Sequence, residues 1–298
     1  MDVAQELSLI VPILVGEFDV GLLSQIEAHS VLGDPFKQLY TQGNATERLD
    51  ELAADHYHVF GLEVFPYGSV FFNDNAHMGG PFPSEIDAIF QAKGKEAPSE
   101  SDHLGQELSL LASLVTMNDA EAAGDLLYRL ILSWYFPFVE TVKRLEHPFF
   151  NALFDHLTSL LLGLAAQFPP VDPEVPAPEL KALAVLDDEE TGLKNIAEFL
   201  LAPRLSGVYL SRTELKEIGD RVEMPTGFGT RSTLLPQLFF TAVDYEKMPL
   251  LVGELEAICQ AFLIQYQQWE KTQPLGLRYW VQQVEQSLLM LHKMKQSV

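Results

Sequence analysis

Apolar side chains return every three or four residues through most of the chain. Leu104, Leu108, Leu111 and Val115 form one such stripe, and Ala123, Leu127, Leu130, Trp134 and Phe138 form the next. Phe150, Leu153, Phe154, Leu157, Leu160, Leu161 and Leu164 continue the spacing, which returns in Leu251, Leu255, Ile258, Phe262 and Tyr266, and in Leu277, Trp280, Val284, Leu288 and Leu291. Residues three or four apart share a helix face, so each stripe predicts an amphipathic helix with one buried side. Sustained two-residue alternation is missing, and Gly207-Val208-Tyr209-Leu210 offers only a short extended piece. The expected fold class is all-α.

Two stretches interrupt the helices. Pro169, Pro170, Pro173, Pro176 and Pro178 stand together with few side chains able to build a core, which stops the preceding helix and reads as a linker. The expected division is therefore a helical domain over 1–168, a proline-rich linker over 169–180 and a C-terminal helical unit over 181–298. The segment from Phe65 to Pro83, punctuated by Pro66-Tyr67-Gly68-Ser69 and Gly79-Gly80-Pro81, predicts a long structured loop of the kind that carries function.

The chain has 298 residues, 47% of them hydrophobic and 20% charged, which is ordinary globular usage and long enough to bury a large core. Its 42 acidic and 19 basic side chains leave a net charge of -23. Such a surface repels phosphate backbones and anionic lipid heads, excludes nucleic acid as a partner and favours a basic one. The single cysteine, Cys259, excludes an internal disulfide framework and sits in an apolar stretch where packing explains it. No positive charge precedes the apolar run from Leu7 to Val15, unlike a secretory signal, and the run Leu157 to Phe168 is too short to span a bilayer, so a cytoplasmic protein is expected.

Candidate chemistry is sparse. His56 and His58 are two residues apart and point to different sides of a helix, and His147 and His156 lack the four-residue spacing of helical zinc ligands, so surface or capping roles explain them and no metal or cofactor is expected. No glycine elbow offers a serine nucleophile, no glycine-rich loop offers a phosphate cradle, and Asp187-Asp188-Glu189-Glu190 reads as a solvated helix start. These absences argue against an enzyme. The most informative segment is Glu100-Ser101-Asp102-His103-Leu104-Gly105-Gln106-Glu107. Ser101 or Asp102 there caps a helix, or His103 and Glu107, one turn apart and away from the leucine stripe, present a polar pair to a ligand.

Five pieces in order carry a resemblance. Asp55-His56-Tyr57-His58-Val59-Phe60, Pro66-Tyr67-Gly68-Ser69-Val70-Phe71-Phe72, Glu100-Ser101-Asp102-His103-Leu104-Gly105, Trp134-Tyr135-Phe136-Pro137-Phe138 and His147-Pro148-Phe149-Phe150 resemble, over roughly residues 30 to 168, the TorD/DmsD family of redox-enzyme maturation chaperones, relatives of NarJ. The proline usual just before the Asp-His pair stands here as Pro98, with Ser101 in its place, and the chain past residue 180 exceeds the usual family length.

The resemblance implies a TorD-like helical chaperone, monomeric or homodimeric, that binds the twin-arginine leader of a molybdenum-containing oxidoreductase subunit until its cofactor is in place. A leader of two guanidiniums followed by an apolar stretch suits carboxylates beside an aromatic groove. Asp102 and Glu107 then supply charge, with Glu100 beside them and His103 as an orienting group. Tyr57, Phe60, Pro66, Tyr67, Phe71 and Trp134 supply the apolar wall, and Gly68 and Ser69 shape the loop. The alternative is a helical scaffold that binds a folded partner, the resemblance then reporting fold alone.

Overall fold

Short polar side chains start many of the helices. Asp19 accepts the Leu22 N–H at 2.7 Å, Asp119 the Ala122 N–H at 3.2 Å and Ser211 the Glu214 N–H at 3.1 Å. Asn44 and Glu47 satisfy each other's backbone donors in a reciprocal capping box. The computed structural model describes residues 3–169, 192–272 and 275–297. Apart from Pro169, the proline-rich stretch lies outside them, as does the acidic run 187–190.

The order is α1 Val3–Val15, α2 Val20–Ala28, α3 Gly33–Leu39, α4 Ala45–His56, a π-helical turn Tyr57–Glu63, α5 Gly68–Phe72, α6 Phe82–Ala92, α7 Leu104–Thr116, α8 Ala120–Asp125, a second π turn Leu126–Ile131, α9 Leu132–Arg144 and α10 Pro148–Ala165. After the gap come α11 Leu193–Leu201, α12 Pro203–Ser206, α13 Arg212–Arg221, α14 Arg231–Asp244, α15 Met248–Thr272 and α16 Arg278–Ser297. The fold is all-α, with no strand among the described residues. The extended piece at 207–210 is a buried connection.

The described residues fall into two compact units, 3–68 with 79–135 and 142–169, and 69–78 with 136–141 and 192–297. In the first, α1 lies along α7, with Leu7, Ile10, Ile13 and Leu14 buried on one helix and Leu104, Leu108, Leu111 and Leu114 on the other. An aromatic cluster joins α3 and α10: Phe36 meets Phe149 edge-on at 5.5 Å, and Phe60 meets Phe150 at 5.0 Å. Edge-to-face rings at such spacings add to the burial of their large apolar area.

In the second unit α15 packs along α16, and the chain from Arg204 to Leu210 is fastened by its carbonyls. Tyr266 donates to Gly207 O at 2.9 Å, Ser287 to Ser206 O at 2.8 Å and Tyr279 to Arg204 O at 2.6 Å. Gly207 ends α12 with φ of 77°, and a Cβ there would lie 2.6 Å from the Val284 nitrogen, so both backbone conformation and space demand glycine. Among the described residues α15 is the one helix long and apolar enough to cross a membrane; here Leu251, Leu255, Ile258, Phe262 and Tyr266 turn its apolar side into the core.

One polar tie joins distant parts of the first unit. Glu6 of α1 is buried and accepts hydrogen bonds from His29 Nε2 at 3.0 Å and His156 Nε2 at 2.8 Å. His156 is thus neither a surface nor a capping residue; it faces a carboxylate 150 positions earlier. Burial pushes the Glu6 carboxyl up, but the hydrogen bonds from the two imidazoles outweigh it and hold the group below its ordinary value. A lowered carboxyl contributes stability that is full above the unfolded value of about 4.3 and is lost as pH falls through the folded one. Glu6→Ala, which strands two imidazole donors, should cost about 1–3 kcal/mol near neutral pH. Urea denaturation of both proteins checks this, and their difference should shrink in acid.

Candidate functional site

The residues 65–68 follow the first π turn, whose last bond runs from the Val64 N–H to Val59 O at 2.9 Å. Such turns insert an extra residue into a helix and frequently mark functional positions. From there Pro66, Tyr67 and Gly68 lie antiparallel across Asp102, His103 and Leu104 as a strap. The Gly68 N–H donates to Asp102 O at 3.0 Å and the Leu104 N–H to Pro66 O at 2.8 Å, pairing Tyr67 with His103. The Tyr67 hydroxyl donates to Glu100 at 2.8 Å, and its ring meets His103 edge-on at 5.0 Å. A Cβ on Gly68 would come within 2.1 Å of the Phe82 ring, so the strap can lie this close only with glycine in that place.

His103, rather than Ser101 or Asp102, caps α7. Its Nδ1 accepts the Gly105 N–H at 3.0 Å, which a protonated ring could not do. Burial pushes the ring's pKa down to about 4, against an opposing pull from Glu100. The imidazole is therefore a neutral cap at ordinary pH. Asp102 is buried, and Ser101 reaches back toward Pro83 O at 3.4 Å.

Glu107 corrects the expectation that it faces away from the leucine stripe. It follows Leu104 by three residues and precedes Leu111 by four, which sets it inside that stripe, and it is fully buried. Among the described residues neither carboxyl oxygen has a hydrogen-bond partner of ordinary geometry. Burial drives its pKa well above the ordinary value, the charge of Asp102 adds to this, and the nearby Trp134 indole only partly opposes it. Glu107 thus stands as a neutral acid and does not supply the charge expected of it.

The expected aromatic wall is distributed rather than gathered. Tyr57 is 62% exposed, Phe60 belongs to the aromatic core against Phe150 and Phe154, and Trp134 is fully buried. Ser69 and Phe71 belong to the second unit, where Phe71 stacks on Tyr209 at 5.6 Å and the Arg231 guanidinium lies over the Tyr209 ring at 3.7 Å. What the structure brings together is Pro66, Tyr67, Gly68, Glu100, Asp102 and His103, with Glu107 and Trp134 in the core of the same unit.

Glu6, His29 and His156 are the one group among the described residues whose ligand atoms cluster as a metal site would, within 4.8 Å of one another. The spacing of positions 6, 29 and 156 gives no sequence signal for it. His29 Nδ1, however, accepts the N–H groups of Val31 at 3.2 Å and Leu32 at 3.1 Å, which puts the ring proton on Nε2, the atom facing Glu6. A metal-bound imidazole instead donates from its other nitrogen, so the group reads as a hydrogen-bonded tie. A second tie joins Tyr40 and His147 to Asp55, at 2.8 and 3.2 Å.

Two measurements address the strap and the acid beneath it. Gly68→Ala should destabilise the protein by about 1–3 kcal/mol through overpacking against Phe82, read as a lowered melting temperature. A carboxyl with a raised folded pKa contributes stability that is full below its unfolded value and lost as pH rises through the folded one. Melting temperature should therefore fall as pH rises above the ordinary carboxylate range, and Glu107→Gln should flatten that slope.

Residues 27–140, which include the strap and the helix start, match the nitrate reductase delta subunit family. The chain is also 31% identical over 104 residues to the chaperone protein TorD of Pasteurella multocida, a match that covers 32% of this chain and 52% of the relative. The chain thus spans about half the length of that curated relative. No solved structure matches. The family similarity thus spans residues 27–140 of the 298, and it is to the nitrate reductase delta subunit family that this part of the chain is similar.

Proposed function

We propose that this protein is a cytoplasmic maturation chaperone, without catalytic activity of its own, that holds the twin-arginine leader of a molybdenum-containing oxidoreductase subunit while the cofactor is inserted. The observation that carries this reading is the Tyr67 strap across the Asp102-His103 helix start, which lies within the part of the chain that matches the family. The family match and the chaperone name of the relative support a client of this kind. The surplus of carboxylates, 42 against 19 basic groups, supports a basic partner and opposes nucleic acid and anionic membranes.

Asp102 is buried under the strap, so a leader arginine reaches it only if the strap lifts. The strap is held by two backbone bonds and the Tyr67–Glu100 bond, each contributing about 1 kcal/mol net, so such opening costs a few kcal/mol. Calorimetry with a synthetic leader peptide tests the function. Affinity should fall as salt rises and should drop by about tenfold or more when both arginines become glutamine, the loss of charge-assisted hydrogen bonds. A leader whose affinity ignores both changes, or one that does not bind, sinks the proposal and leaves the scaffold reading.

A further inference from the structure

The turn between α14 and α15 is unusually apolar on its outside. Among the described residues thirteen large hydrophobic side chains are exposed, and four of them, Phe240, Val243, Tyr245 and Leu250, fall within eleven consecutive positions. Their exposures are 54, 54, 55 and 57%. Scattered single apolar side chains are normal on a surface, whereas a cluster marks an interaction site. Phe240 and Val243 are one turn apart on α14, whose opposite side already buries Leu234, Leu235, Leu238, Phe239 and Ala242. The outer pair is therefore surplus to the packing of the helix.

The exposed charged side chains between positions 240 and 250 are of one sign. Asp244 and Glu246 are exposed and form no ion pair among the described residues. The local cation, Lys247, is turned inward onto Val222 O at 2.7 Å and Glu223 O at 3.0 Å. A second copy of the chain docked through the same face would bring these carboxylates together, on top of a net charge of -23 for each partner. A segment that joins apolar side chains to basic ones meets both features at once.

We propose that this corner, built of Phe240, Val243, Tyr245 and Leu250 with Asp244 and Glu246 beside them, is a docking surface for the apolar and basic leader of the client. The proposal rests on the leader-binding function above and adds to it a contact made by exposed residues of the second unit, separate from the buried Asp102. It needs no opening of the fold, since every residue involved already faces solvent.

The test uses the full chain and a fluorescent synthetic peptide with two adjacent arginines followed by an apolar stretch. Two variants remove the two components separately: Phe240→Ser with Val243→Ser for the apolar one, and Asp244→Asn with Glu246→Gln for the charge. Because all four positions are exposed, circular dichroism and melting temperature should stay at wild-type values. The apolar variant should lose affinity by about tenfold or more. The charge variant should lose the salt dependence of binding. Wild-type affinity in both variants overturns the proposal while leaving the leader-binding function standing, and a wild-type chain that does not bind the peptide overturns both. A dimer of the free wild-type chain that dissociates in the apolar variant, seen by size-exclusion chromatography across concentrations, also overturns it, because the face is then a contact between copies.

Discussion

The local structure around the strap depends on an exchange of two backbone hydrogen bonds between residues 66–68 and 102–104. A short extended segment and a helix start would each leave donors and acceptors unsatisfied, and each completes the other. The helix contributes the N–H of Leu104, one of the first-turn donors that α7 cannot satisfy internally, and the strap contributes the N–H of Gly68. His103 takes a further donor, that of Gly105, with its own ring. The arrangement is possible because residue 68 lacks a Cβ and Phe82 fills the space where one would stand. One missing methyl thus sets how closely the loop lies on the helix.

Polar groups inside the first unit are used in two opposite ways. Glu6 is buried and ionised because two imidazoles donate to it, whereas Glu107 is buried and neutral because nothing of comparable strength does. The same type of side chain, little exposed in both places, is thereby pushed in opposite directions by its neighbours. The first arrangement joins three elements, while the second stores a desolvated acid beside Trp134.

Much of the helical pattern was legible from periodicity, because the stripes at Leu104, Leu108 and Leu111 or at Leu251, Leu255 and Ile258 follow directly from 3.6 residues per turn. Glu107 was misassigned although the same geometry places it, since its charge suggested a solvent-facing position more strongly than its offset from Leu104 and Leu111 suggested the core. The cap on α7 was hidden for a different reason: serine and aspartate are the usual capping residues, and a histidine ring takes that role only when burial keeps it neutral. The Glu6 tie and the assignment of residues 69–78 and 136–141 to the second unit join positions too far apart for spacing to report.

The reach of the Glu6 tie has a consequence for biosynthesis. Helix α1 leaves the ribosome with Leu7, Ile10, Ile13 and Leu14 on one side, yet its main packing partner begins at Leu104 and its buried carboxylate is not satisfied until His156 follows. At roughly 5–20 residues per second, the apolar face of the first helix waits on the order of ten seconds for its partners. During that interval the emerging chain carries an apolar face that the finished fold buries, and it is then most open to unwanted contacts.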